Sequence, residues 1–152
     1  MICARLATPV IYDEGQTFEI GKGVLHGDGI DATVFATGVT VSEAIKAQEE
    51  LKQQGINIRV IDIHTIKPID RSCILSNCEK KLMVSVEEHN VVGGLGTAIA
   101  DVLSEERNTP PLLKLGVQDH FMPVGDYNYL LEQAGLTPVE IAESISNKLS
   151  LL

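Results

Sequence analysis

Leu82–Leu103, LMVSVEEHNVVGGLGTAIADVL, is the stretch that decides the fold. LMVSV (Leu82–Val86) is a continuous apolar run of strand length, and TAIADVL has the composition of a buried helix. Between them stand Glu87, Glu88, His89 and the run Gly93-Gly94-Leu95-Gly96. Strand, Gly-rich turn and helix follow one another, as in half of a βαβ unit. Two carboxylates and an imidazole at the mouth of a helix raise three readings: a catalytic site, a phosphate cradle, or packing.

Outward from this unit the same alternation recurs. ATVFA (Ala32–Ala36) reads as a buried strand, and the helix TVSEAIKAQEELKQQG follows it. Thr40 and Glu43 have capping-box spacing there, Gly55 supplies the stop, and Val41, Ala44, Ile45 and Leu51 form the apolar face. IRVIDI (Ile58–Ile63) is the next strand. TIKPID then turns the chain, with Asp70 placed to cap a short helix from Arg71 to about Cys78. LLKLGV (Leu112–Val117) is a further strand. The last helix opens at TPVE, with Thr137 as cap, Pro138 at the first position and Glu140 closing the box. Ile141, Ile145 and Leu149 then point inward at four-residue spacing. Strands joined through helices imply a parallel sheet covered on both faces, a three-layer α/β/α domain. The Gly-rich FEIGKGVLHGDG that precedes them suits an irregular edge strand entering the sheet by a tight turn.

Composition narrows the function. The 152 residues suffice for one domain, and 44% apolar with 22% charged residues suit a folded, soluble chain. A net charge of −9 argues against nucleic acid and anionic membrane as partners. No apolar run approaches the roughly 20 residues of a membrane span, and no signal peptide opens the chain. Cys3, Cys73 and Cys78 are odd in number and lack metal-site spacing, which suits a reducing, cytoplasmic setting with thiols that are bystanders.

Ligands in such sheets gather beyond the carboxyl ends of the strands, near a switch in strand order. Four loops fall there: Thr37-Gly38, His64-Thr65, Glu87-Glu88-His89 and Gln118-Asp119-His120. Imidazoles and carboxylates can move protons or bind metal, but polar loops at strand ends are the simpler reading. No catalytic, cofactor-binding or metal-ligating residue is assigned. Gly93, Gly94 and Gly96 lack the dinucleotide spacing, and close packing of backbone on backbone is favoured over phosphate binding. His26-Gly27-Asp28-Gly29 with a downstream Asn has the look of a magnesium–thiamine diphosphate motif. Only Asn57 stands where a pair is usual, so Gly27-Asp28-Gly29 is read as a turn feeding Ala32–Ala36.

Taken together, PVIYDEGQTFEIGKG, ATG, RVIDIHTIKPID and VEEHNVVGGLGTAIADVL closely resemble the C-terminal domain of transketolase, above all the form split into two subunits. The resemblance runs from Pro9 to Ile145. TIKPID and EEH…GGLG in this order are specific together, and the latter occurs in weaker form in β subunits of 2-oxoacid dehydrogenases and in deoxyxylulose-phosphate synthase. It implies a mixed five-stranded sheet with the first strand antiparallel. It also implies that the Ala32 and Leu82 strands are neighbours, bringing Gly38 beside Glu88 and His89. In that family an N-terminal domain holds the diphosphate and its metal, and a middle, pyrimidine-binding domain holds the activating glutamate. Residues 1–8 then correspond to a linker leaving the middle domain, and 9–152 to the C-terminal domain.

The resemblance also marks departures. Of an arginine pair in relatives that includes a substrate-phosphate contact, only Arg5 remains, with Ile2 in the other place. Arg5 is the candidate phosphate contact, against a solvated linker cation as the simpler reading. Asp119-His120-Phe121 matches an Asp-x-Phe-Gly pattern until Met122 replaces the Gly. The function implied is assembly. Gly38, Glu88, His89, Gly93, Gly94 and Gly96 shape a loop against the remaining domains or subunit and a homodimer partner. The complete enzyme would use thiamine diphosphate and magnesium to transfer two-carbon ketol units between sugar phosphates, and this chain alone would be inactive. The alternatives are a fragment of a 2-oxoacid dehydrogenase β subunit or deoxyxylulose-phosphate synthase, and a free-standing regulatory module binding a small anion in the Gly38/Glu88 crevice. The module reading predicts a stable monomer. The domain reading predicts an exposed apolar patch and self-association.

Overall fold

Apolar runs become strands and amphipathic runs become helices in near-strict alternation. A computed structural model describes residues 7–152, so Arg5, with Ile2 and Cys3, lies outside the described residues. The chain runs β1 (Val24–His26), β2 (Ala32–Thr37), α1 (Thr40–Gln53), β3 (Ile58–Asp62), α2 (Arg71–Leu75) and β4 (Leu82–Asn90). It continues through α3 (Leu95–Leu103), β5 (Leu112–Val117), α4 (Tyr127–Gln133) and α5 (Pro138–Leu149).

The five strands form one sheet in the order β1-β3-β2-β4-β5. β1 is antiparallel to β3, and the other pairs are parallel. This is the mixed sheet that the family resemblance implies, with Ala32 paired directly to Leu82. Alternate residues divide between two cores, as the two-residue strand period requires. Ala32, Val34, Ala36, Val60, Val84 and Val86 join α1 and α5 on one face. Phe35, Ile61, Ile63 and Met83 join α2 and α3 on the other. β2 is buried along its whole length, and apolar side chains fixed between two helical layers contribute about 1.5–3 kcal/mol each.

Local signals account for most of the helix ends. Thr137 accepts from the Glu140 N–H while Glu140 accepts from the Thr137 N–H, a complete capping box with Pro138 at the first turn. Asp70 caps α2 through the Cys73 N–H at 3.0 Å. The Thr40–Glu43 box does not form. α1 has Val39 at its N-cap and no side-chain cap. The Thr40 hydroxyl instead lies 2.8 Å from the carbonyl oxygens of both Thr37 and Val86, sharing its one proton between them. Glu43 accepts from Ser42 and Lys46. A tertiary acceptor on β4 outcompetes the local one, because that carbonyl would otherwise be buried beside a hydroxyl with nothing to receive.

Four further differences are local, and one is that α2 stops at Leu75, short of the expected Cys78. β4 runs on to Asn90, so Glu87, Glu88 and His89 belong to the strand. β3 ends at Asp62, although Ile63 still donates to the Ala36 carbonyl. α4 is an additional helix, capped by the Asp126 carboxylate on the Tyr129 N–H.

Candidate functional site at the carboxyl end of the sheet

After β2 the chain moves outward to β3, then returns to the other side of β2 for β4. The switch in strand order therefore lies between β2 and β4, where crevices form in open α/β sheets. Thr37 pairs with Glu87 there, the last pair of the ladder, with Gly38 and Glu88 the next residues of the two chains. Gly38 has φ +64° and no neighbouring atom within 4 Å of where a Cβ would stand. Its role is the left-handed turn into α1, and its outer side is open.

Glu87 answers the question of the helix mouth. It is 1% exposed, and its two carboxylate oxygens accept from the Leu95 N–H at 2.6 Å and the Gly96 N–H at 2.8 Å. These are unpaired donors of the first turn of α3, where the helix dipole also favours negative charge. The anion at this N-terminus is thus the protein's own carboxylate. Gly94 is required by it: a Cβ there would stand 1.9 Å from the Glu87 Oε2. A Cβ at Gly96 would meet the Ser85 hydroxyl at 2.5 Å and the Lys114 side chain at 2.9 Å. Gly93 is the free member, with φ +82° and open space around it. Sequence reasoning passed over Glu87. Its signal was a helix start with Gly at the cap position and a carboxylate at the end of the preceding strand.

Beyond Glu87 the ladder with β5 shifts register. Glu87 pairs with Gly116, but Asn90 pairs with Val117. The extra residues form a bulge that turns Glu88 and His89 outward, both exposed. Glu88 accepts from the Tyr127 hydroxyl at 3.0 Å. Burial first, then that carboxylate, pushes the Tyr127 hydroxyl up to about 12. Asn90 donates to Asp119 at 3.3 Å and accepts from the Val92 N–H at 2.8 Å. The β4–α3 and β5–α4 connections are thereby tied, and Val92, Phe121 and Val124 stand exposed on them, the last two fully.

The three strand-end histidines are not gathered. β2 separates β3 from β4, so His64 sits roughly 10 Å, two strand spacings, from the line of β4. His89 and His120 lie against the backbone carbonyls of Asn90 and Phe121. Cys73 and Cys78 are half-buried, and burial above all pushes the Cys73 thiol up to about 11, which makes it a poor nucleophile at neutral pH. Asp28 of the Gly27-Asp28-Gly29 turn is paired with Arg59 at 2.7 Å, and a Cβ at Gly29 would overlap the Ile58 backbone. This turn and the Glu87-filled helix mouth do not fit a diphosphate and its metal.

The domain model described as "Transketolase, C-terminal domain" matches residues 21–141. This chain belongs to the transketolase C-terminal domain family. It is 43% identical over 136 residues to a 6-deoxy-6-sulfo-D-fructose transketolase subunit from Clostridium sp. (strain MSTE9), covering 88% of this chain and 42% of that one. It is 38% identical over 130 residues to the 1-deoxy-D-xylulose-5-phosphate synthase of Caldanaerobacter subterraneus, covering 85% and 21%. A solved split-gene transketolase, an inactive "beta4" tetramer of subunits, superposes with a TM-score of 0.84 at 37% identity, over 95% of this chain and 46% of that one. The chain spans under half the length of these relatives. Within this transketolase C-terminal domain, Asp70 of TIKPID also accepts from the Gly23 N–H of GKG at 3.1 Å, fastening two of the motifs that carry the family resemblance.

Proposed function

We propose that this chain is the assembly domain of a transketolase-type enzyme that uses thiamine diphosphate to transfer two-carbon ketol units between sugar phosphates in the cytoplasm. The cofactor and its magnesium belong to the remaining domains or subunit, and Arg5 is this chain's candidate contact to substrate phosphate. When bound there, thiamine diphosphate supplies the electron sink for carbon–carbon bond cleavage. This chain supplies a rigid sheet end that supports that site and a homodimer. Residues 1–8, Arg5 included, form the linker side of the domain, and residues 9–152 are the domain itself.

The observation that carries the reading is Glu87. Its carboxylate takes the anion position that the Gly-rich helix mouth would otherwise offer to a phosphate. What the same loop leaves exposed is Glu88, His89, Val92 and Gly93, a surface suited to contact with protein.

The test is an assay of ketol transfer from a ketose phosphate to an aldose phosphate with thiamine diphosphate and magnesium. It is run with the chain alone and with the polypeptide that carries the thiamine diphosphate site. We expect no turnover alone and turnover in the mixture. Turnover by the chain alone would overturn the proposal, as would a mixture that co-sediments yet stays inert. Formation of deoxyxylulose phosphate when pyruvate replaces the ketose phosphate as donor, with release of carbon dioxide, would assign the chain to the synthase branch.

A further inference from the structure

Residues 7–23 reach β1 with no helix or strand of their own; Lys22 and Gly23 are tied to Asp70, and ahead of them Tyr12 is fastened to the sheet. The Tyr12 hydroxyl donates to the Asp62 Oδ2, fifty positions away in sequence. His26 Nε2 lies 3.2 Å from the same hydroxyl. With the Tyr12 proton committed to the carboxylate, His26 is the donor, so His26, Tyr12 and Asp62 form one chain of hydrogen bonds ending on an acid. The register explains the meeting. His26 pairs with Val60, so both share the sheet face that Asp62 also occupies two residues on.

Aromatic edges complete the contact. Tyr12 meets Phe18 at 4.8 Å between ring centroids and His26 at 5.2 Å, and Phe18 meets His64 at 5.3 Å. The rest of the segment is held weakly, with Val10 92% and Ile20 78% exposed. Beneath it lies a cavity of about 250 Å³ bordered by Tyr12, Gly38, Val39, Ser42 and Asp62. Asp62 itself is 5% exposed, and its Oδ1 has no partner among the described residues. A carboxylate closed off with so few bonds lowers stability unless the segment that covers it can move.

We propose that the Tyr12 hydroxyl, held between His26 and Asp62, is a clasp that fixes residues 7–20 as a releasable strap over the cavity beside Gly38. The inference holds whichever reaction the assembled enzyme performs. The charged or titratable groups facing Asp62 are Tyr12 from the strap, His26 from β1 and His64 just beyond β3. α1 presents Val39 and Ser42, with Glu43 turned to Lys46. Burial pushes the Asp62 carboxyl above its ordinary range, against the lowering effect of the Tyr12 bond and of His64 and His26. Closing the strap therefore favours protonated Asp62. The grip is firmest below the ordinary carboxylate range and slackens as pH rises through the raised value.

Hydrogen exchange of the 152-residue chain tests this, comparing wild type, Tyr12→Phe and Asp62→Ala. Both variants should raise exchange across residues 7–20 by about tenfold, the loss of one hydrogen bond, while β2, β3 and β4 stay protected. Asp62→Asn keeps an acceptor and should leave the strap closed with its pH dependence gone. Unchanged exchange in Tyr12→Phe would show that ring packing alone holds the segment, and would overturn the clasp. Loss of protection through β2–β4 in both variants would also overturn it, by making the pair part of the core.

Discussion

A single carboxylate decides what the Gly-rich stretch does. Glu87 satisfies two N–H groups of α3 from the end of the strand before it, and it is sealed from solvent while doing so. Glu87→Ala leaves both donors buried and unpaired, and we expect about 3 kcal/mol of lost stability, measured by urea unfolding. Glu87→Gln, which can still accept one of the two, should cost about half as much. The glycines separate by the same geometry. Gly94→Ala forces a methyl onto the Glu87 carboxylate and should cost about 2 kcal/mol or more. Gly38→Ala meets no atom, and only its positive φ is opposed, about 1 kcal/mol. Equal losses in the two glycine variants would contradict this assignment. Close packing at Gly94 and Gly96 was the expectation from sequence, but what presses on them is chiefly side chain (Glu87, Ser85 and Lys114) in place of the expected backbone, and Gly93 stands in open space. The partner was not legible, since nothing local distinguishes Glu87 from Glu88 until β4 pairs with β2 and buries one of them.

At the scale of elements, legibility follows the range of the interactions. Thr137, Pro138 and Glu140 announce α5 within four residues, and all three behave as written. β2, β3 and β4 announce themselves by apolar runs, and their burial confirms them, while β1 and β5 at the sheet edges are mostly half-buried. Thr40 failed as a cap because its hydroxyl is taken by the Val86 carbonyl, a partner visible only after β2 and β4 are neighbours. α4 escaped notice because it buries no residue fully, so it has no apolar stripe to read. Asp70 joins the local and distant classes, capping α2 while accepting from Gly23 across the sheet. Burial pushes its carboxyl up, but bonds from Ser72, Cys73 and Gly23 and the charge of Lys22 outweigh that and hold it below the ordinary range. A depressed folded value means stability that is present above the ordinary carboxylate pKa and lost as pH falls through the folded one. Asp70→Asn should therefore destabilise by about 1–2 kcal/mol at neutral pH. The gap to wild type should shrink as pH falls below about 4. A gap that stays constant over that range would show that charge plays no part.

For the whole molecule, one end of the sheet carries the consequences. β2 and β4 deliver Gly38 and Glu88 to the switch in strand order, a bulge turns Glu88 and His89 outward, and two tied loops expose Val92, Phe121 and Val124. Membership of the transketolase C-terminal domain family was legible from the motifs, and so was the antiparallel first strand. The exposed apolar trio was not, since exposure depends on which loops the sheet brings together. The central claim is that this end is an assembly surface, and it meets its most direct test in sedimentation velocity across a wide range of concentration. We expect wild type to sediment faster as concentration rises, and the double variant Val92→Ser with Phe121→Asp to remain a monomer with unchanged urea stability. A wild-type chain that stays monomeric at every concentration would contradict the claim.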